Sequence, residues 1–100
     1  MYNKNTNRHN FDEEVVNAVW KKAQLVSGYG SSEIRKDTCG ALMKRSEHGN
    51  TNSSYGWEVD HIKPVASGGS DALYNLQALQ WENNRHKSDN YPKWWCRRTA

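Results

Sequence analysis

The residues Trp57-Glu58-Val59-Asp60-His61-Ile62-Lys63-Pro64 set a carboxylate beside an imidazole in a segment too apolar to be a loop. Asp60 offers a hard, anionic metal ligand and His61 a general base, the parts of a metal-assisted attack by water. Beyond a Gly-rich loop, Ser67-Gly68-Gly69-Ser70, come Asn75-Leu76-Gln77-Ala78-Leu79 and then a polar run, Glu82-Asn83-Asn84-Arg85-His86-Lys87. Asn84 adds a neutral carbonyl oxygen. With Asp60 it makes a ligand set suited to Mg2+ or Mn2+, with water and substrate oxygens filling the remaining positions.

Those side chains need a scaffold. Tyr55 to Ile62 places aromatic and β-branched residues in rough alternation, with Trp57, Val59 and His61 on one face, and reads as a strand stopped by Pro64. Leu76 to Leu79 reads as its partner strand. Gln80 to Ser88 fits about two turns of helix, on which Asn84 and Lys87, three apart, share a face. Adjacent strand side chains point to opposite faces, so Asp60 and His61 serve one site only if the backbone turns or twists there. Pro64 and the glycine loop lie just beyond, where the pleat can relax. Upstream, Asn10 caps a helix with Glu13 answering it as in a capping box, and Val15, Val16, Val19, Trp20 and Ala23 recur at helical spacing. This amphipathic helix covers about 11–26 and ends at Gly28-Tyr29-Gly30-Ser31-Ser32. Thr38 to Met43 reads as a short strand, Lys44 to Asn50 as a polar continuation into a turn, and polar residues 1–9 as a stretch that frays. The adjacent Trp94 and Trp95 are expected to close the core.

Taken together, Asp60-His61, Asn75 and Asn84-x-x-Lys87 resemble the signature of the HNH nucleases, the catalytic core of the ββα-metal endonucleases. Asn84 to Pro92 is also similar to the metal-ligand helix in the HNH domain of RNA-guided CRISPR nucleases. The resemblance covers Tyr55 to Pro92. It implies an α+β fold: a small ββα-metal core at about 55–92, made of a two-stranded antiparallel hairpin and a metal-site helix, in a single nuclease domain spanning 1–100. It implies a metal-dependent endonuclease acting on DNA, with Asp60 and Asn84 on the metal and His61 sharing their site and acting on water. Asn75 is implied to tie the loop back by hydrogen bonds and so orient His61. The products are implied to carry a 5′-phosphate and a 3′-hydroxyl.

Hydrolysing a phosphodiester requires an activated water, stabilisation of charge gathering on the phosphate and help for the departing alkoxide; one hard cation and one base supply all three. An imidazole suits the base because side chains of this type exchange a proton near neutral pH. Lys87, near the metal-bound phosphate or along the backbone, Arg85, on a flanking phosphate, and Lys63 are the expected nucleic-acid contacts. His86, two residues from Asn84, is not assigned to the metal. Many relatives carry two C-x-x-C pairs around the motif that hold a structural zinc. This chain has none, and Gln80-Trp81-Glu82-Asn83 stands where such a pair would fall, so no structural zinc is expected and Trp81 is expected to supply the packing. Asn84, where some members have His, moves the expected metal from zinc or nickel to magnesium or manganese. Cys39 and Cys96 lack paired spacing and are expected as two thiols.

One hundred residues make one small domain with a limited core. Only 35% of residues are hydrophobic and the mean hydropathy is −1.08, but five Trp and five Tyr concentrate apolar area in large side chains, which argues for a folded chain. A formal charge of +3 and a pI near 9.0 favour an anionic partner without identifying it. No apolar stretch is long enough to cross a bilayer and the N-terminus has no signal-like apolar region, so a cytoplasmic protein with DNA and no membrane as partner is expected. Met1 and the small size suit a stand-alone nuclease of a phage, mobile element or restriction system. They suit equally a toxin-type nuclease with an immunity protein. The Asn10 to Leu25 helix offers a homodimer face, though burial within the monomer is the simpler account. The rival from another class is a ββα module that grips nucleic acid or a protein without cleaving.

Overall fold

The computed structural model of the chain describes residues 11–30 and 32–100. Helix α1 spans Glu13–Lys22, and its N-cap is Asp12, whose side chain accepts from the Val15 amide at 2.9 Å. The expected cap Asn10 and the expected fraying stretch 1–9 lie outside the described residues. The helix stops at Lys22, short of the expected residue 26. Arg35 Nη1 donates to the carbonyls of Lys21 and Ala23, both at 2.9 Å, and so satisfies acceptors that another helical turn would have used. The chain then leaves as β1 (Gln24–Leu25), which pairs antiparallel with β2 (Ile34–Lys36); β3 (Leu42–Lys44) completes a sheet of order β1-β2-β3. The strand expected from Thr38 starts later because Asp37 Oδ1 accepts from the amides of Cys39 and Ala41, making 37–41 a turn.

The second sheet is the expected hairpin. Strand β4 (Trp57–His61) pairs antiparallel with β5 (Leu76–Gln80) in five unbroken steps, from Trp57 opposite Gln80 to His61 opposite Leu76. Helix α2 (Trp81–Lys87) follows at once, because the Gln80 side chain folds over its start and accepts from the amides of Glu82 and Asn83. Among the described residues the result is a small α+β fold with two antiparallel sheets and two α-helices.

The β4–β5 sheet has a helix on each face. Trp57, Leu76 and Ala78 join Val16, Val19 and Trp20 of α1, with Met43, in the buried core, and Val59 packs against it. The Trp57 ring lies 5.0 Å from Trp20 and 4.6 Å from His48, with its indole N–H on the Lys44 carbonyl at 2.9 Å. On the other face, Glu58 and Asp60 reach residues of α2. Trp81 is half-buried and donates its indole N–H to the Ser53 carbonyl at 2.9 Å.

Two expectations are corrected here. Cys39 and Cys96 are joined as a disulfide, with Cα atoms 5.8 Å apart, where two thiols were expected. Fifty-seven positions separate them in sequence, and only folding brings the 37–41 turn beside the C-terminal segment. That junction is bonded besides: buried Asp37 accepts from Gln80 N and Asn83 Nδ2 as well as from Cys39 and Ala41. Four donors on one carboxylate offset the cost of burying it. The second correction concerns the tryptophan pair. Trp94 is half-buried but Trp95 is 82% exposed, so the pair does not close the core.

Candidate active site

Strand β4 delivers Glu58, Asp60 and His61 to one end of the molecule. Its register is regular through His61, so alternation holds and no relaxed pleat turns the last two side chains together. Asp60 and His61 therefore face opposite sides of the sheet, without the backbone turn or twist that would bring the two side chains onto one face. Their partners confirm the split. Asp60 is 7% exposed; Gln77 Nε2 donates to its Oδ2 at 2.9 Å, and Lys87 Nζ of α2 lies 3.3 Å from both carboxylate oxygens. His61 instead places Nε2 2.7 Å from Asp71 Oδ1, with the Phe11 ring 5.8 Å away.

On the α2 side the geometry is a small lattice. Residues two apart on a strand, Glu58 and Asp60, meet residues three apart on a helix, Asn84 and Lys87. Asn84 Nδ2 donates to Glu58 Oε1 at 2.8 Å, which turns its carbonyl oxygen to be the atom it can offer a cation. Arg85 Nη2 lies 2.8 Å from Glu58 Oε2. Burial raises the Asp60 carboxyl above its ordinary value, while the Lys87 ammonium and the Gln77 amide pull it back. Asp60, Asn84 and the neighbouring Glu58 carry hard oxygen donors, the ligand type a small divalent cation takes. Among the described residues no group of three or more His, Cys, Asp or Glu gathers to hold a metal, so a cation here would take its remaining ligands from water or substrate.

The expected phosphate contacts fare differently from one another. Lys63 is exposed at the start of the loop. Arg85 is half-exposed and paired with Glu58. Lys87 is 1% exposed, with its ammonium on Asp60 and on the His61 carbonyl at 2.9 Å, so it turns inward and presents no charge to a passing strand.

Asn75 closes the 63–70 loop. Its Oδ1 accepts from the Lys63 amide at 2.8 Å, and its Nδ2 donates to the carbonyls of Lys63 and Ser70 at 3.0 and 2.8 Å. Gly69 sits inside this closure: a Cβ there would lie 1.7 Å from the Lys63 carbonyl oxygen, so no larger residue fits. Asp71, the residue on His61, follows directly on this loop, between Ser70 and Asn75. Sequence reasoning missed Asp71, Glu58 and Gln77. Asp71 had one available signal, its place between the glycine pair and Asn75; Glu58 had another, its position two residues before Asp60 on a strand.

The family model for HNH endonuclease matches residues 38–90, more than half of the chain. No curated protein and no solved structure matches it.

Proposed function

We propose, given that the chain belongs to the HNH endonuclease family, that its nuclease-type function is divalent-metal-dependent hydrolysis of DNA phosphodiester bonds. The observation that carries this reading is the division of labour at the end of β4: oxygen donors on the α2 face, and an imidazole held by a carboxylate on the other. In-line displacement puts attacking water and leaving oxygen on opposite sides of phosphorus. A base and a leaving-group stabiliser therefore need not share a strand face; they need the phosphate between them, at the strand end.

Asp71 accepts from His61 Nε2–H, so the lone pair that takes the proton from water sits on Nδ1. Asn75 holds the loop that leads into Asp71, and thereby sets the imidazole. Asp60 and Asn84 would hold the cation, and Glu58 fixes the Asn84 amide. When bound, a Mg2+ or Mn2+ ion supplies Lewis-acid stabilisation to the phosphate and the departing 3′ oxygen. Lys63 at the loop mouth binds flanking phosphate. We read residues 1–100 as one nuclease domain, since α1 packs Val16, Val19 and Trp20 onto the sheet that carries the site.

The test is nicking of supercoiled plasmid with Mg2+ or Mn2+, compared with added chelator and with His61→Ala. Cleavage by the parent alone is expected; equal nicking in all three sinks the proposal. One observation favours the rival, a nucleic-acid-binding module that does not cleave: Lys87 already neutralises Asp60 from within. Salt-dependent binding with intact substrate after long incubation in several metals would select it.

A further inference from the structure

The segment after α2 ends in a surface that the site does not use. Tyr91, Lys93, Trp95 and Arg97 are all exposed and alternate aromatic with cationic. Tyr91 is 46% and Trp95 82% exposed. Charge is concentrated here too. Of the 14 Lys and Arg, Lys93, Arg97 and Arg98 lie in the last ten residues, which hold none of the 11 Asp and Glu. The rest of the chain is balanced, so the whole formal excess of +3 resides in this segment.

The segment is also fixed in place. The Cys39–Cys96 disulfide anchors the residue after Trp95. Asn83 Oδ1 accepts from the amides of Arg97 and Arg98, each at 2.7 Å, and Asn83 Nδ2 donates to the Arg98 carbonyl at 2.9 Å. Arg98 turns back to Glu82 at 3.1 Å. The backbone just beyond Trp95, at Arg97 and Arg98, is thus bonded to α2 at the residue before Asn84. An exposed aromatic held rigid loses little freedom when something stacks on it.

We infer that Lys93–Arg97 is a contact for single-stranded nucleic acid, with Trp95 stacking on an unpaired base and Lys93 and Arg97 on the phosphates beside it. A duplex hides its base faces, whereas a single strand offers a π-face at every nucleotide, and an indole between two cations matches base and backbone together. A protein partner would have to bury Lys93 and Arg97 against acids of its own; a nucleic acid carries the complementary charge at every step. The inference deepens the proposed function by naming an unpaired strand as part of the substrate, and it rests on that reading for its relevance to cleavage.

The experiment measures binding of a labelled oligo-dT 20-mer and of a duplex of equal length to the oxidised full chain, with chelator present so that nothing is cut. Trp95→Ala is expected to weaken single-strand binding about 5- to 150-fold, the range for loss of one stacked base. Trp95→Phe restores most of it, and duplex binding changes less. Lys93→Ala with Arg97→Ala lowers the salt dependence of single-strand binding by a slope of about 1.4. Retention of the parental circular dichroism shows that the variants fold. Trp95→Ala binding the oligonucleotide like the parent overturns the inference and gives the surface to another occupant. A chain that loses binding with Trp95→Ala yet nicks no plasmid upholds this inference and sinks the nuclease reading; a chain that nicks while Trp95→Ala binds unchanged does the reverse.

Discussion

Replacing Lys87 by Met keeps an unbranched apolar stem one atom shorter and removes the ammonium that faces Asp60. Two unit charges 3.3 Å apart at an effective dielectric constant of about 20 attract by about 5 kcal/mol. Breaking a buried pair by deleting one partner typically costs about 3–5 kcal/mol, so the two routes agree. Both partners are almost fully buried, so solvent screening takes little away. For a chain of this size the loss lowers the melting temperature by about 15 °C or more. The pH dependence has a definite sign. Burial already holds the Asp60 carboxyl above its unfolded value, so its contribution to stability is full below that value and is lost as pH rises through the folded one. Without Lys87 the carboxyl rises further, and the deficit of the variant widens from pH 4 to pH 7. A divalent cation on Asp60 restores the missing charge, so Mg2+ or Mn2+ should raise the melting temperature of Lys87→Met by more than that of the parent. The assay is thermal melting of both chains in chelator and in each metal, at pH 4 and pH 7. Equal stability in chelator at pH 7 refutes the electrostatic account. A deficit that metal leaves unchanged refutes Asp60 as a ligand.

Asp71→Ala should lower kcat at least about 10- to 100-fold with KM near its parental value, and Asp71→Asn should also lose activity because its amide can donate to the imidazole and reverse the tautomer; parental turnover in Asp71→Ala would refute the assignment. Burial beside Trp57, and then the Arg45 guanidinium, push the His48 imidazole down. Its contribution to stability is therefore present above the unfolded value and lost as pH falls through the folded one, so the parent should lose more melting temperature between pH 7 and pH 5 than His48→Gln does. Reducing the Cys39–Cys96 bond, which closes a loop of 57 positions, should cost about 4 kcal/mol in urea unfolding. Coincident unfolding curves with and without reductant would show that the link does not stabilise the chain.

The hairpin and the site helix were legible because they are long enough to carry pattern. Trp57 and Val59 alternate with Glu58 and Asp60, and the polar run after Gln80 has helical length. Strands β1 and β2, of two and three residues, carry no period, and they exist because Arg35 ends α1 and pairs the chain beyond it. Of the site, the order Asp60-His61, Asn75, Asn84-x-x-Lys87 stood in the sequence. The partner of each residue did not. Asp71 on His61, Glu58 on Asn84 and Gln77 on Asp60 are side-chain contacts between segments 10 to 26 positions apart, and no local propensity records them. Lys87 shows the limit most sharply. Its spacing from Asn84 was right for one helix face, yet whether that face met phosphate or protein depended on how α2 lay against β4.

By itself, the sequence determined the chemical inventory: oxygen donors, one imidazole beside them, a loop-closing Asn and the elements that carry them, because residue type and short-range period need no third dimension. Tertiary structure decided which of those groups face each other. Regular pairing sent Asp60 and His61 to opposite faces, burial turned Lys87 from a phosphate contact into the counter-ion of Asp60, and the approach of the 37–41 turn to the C-terminal segment made a disulfide of two distant cysteines and left Trp95 in solvent. Each of these depends on where two segments meet, and that is set by packing across the whole core.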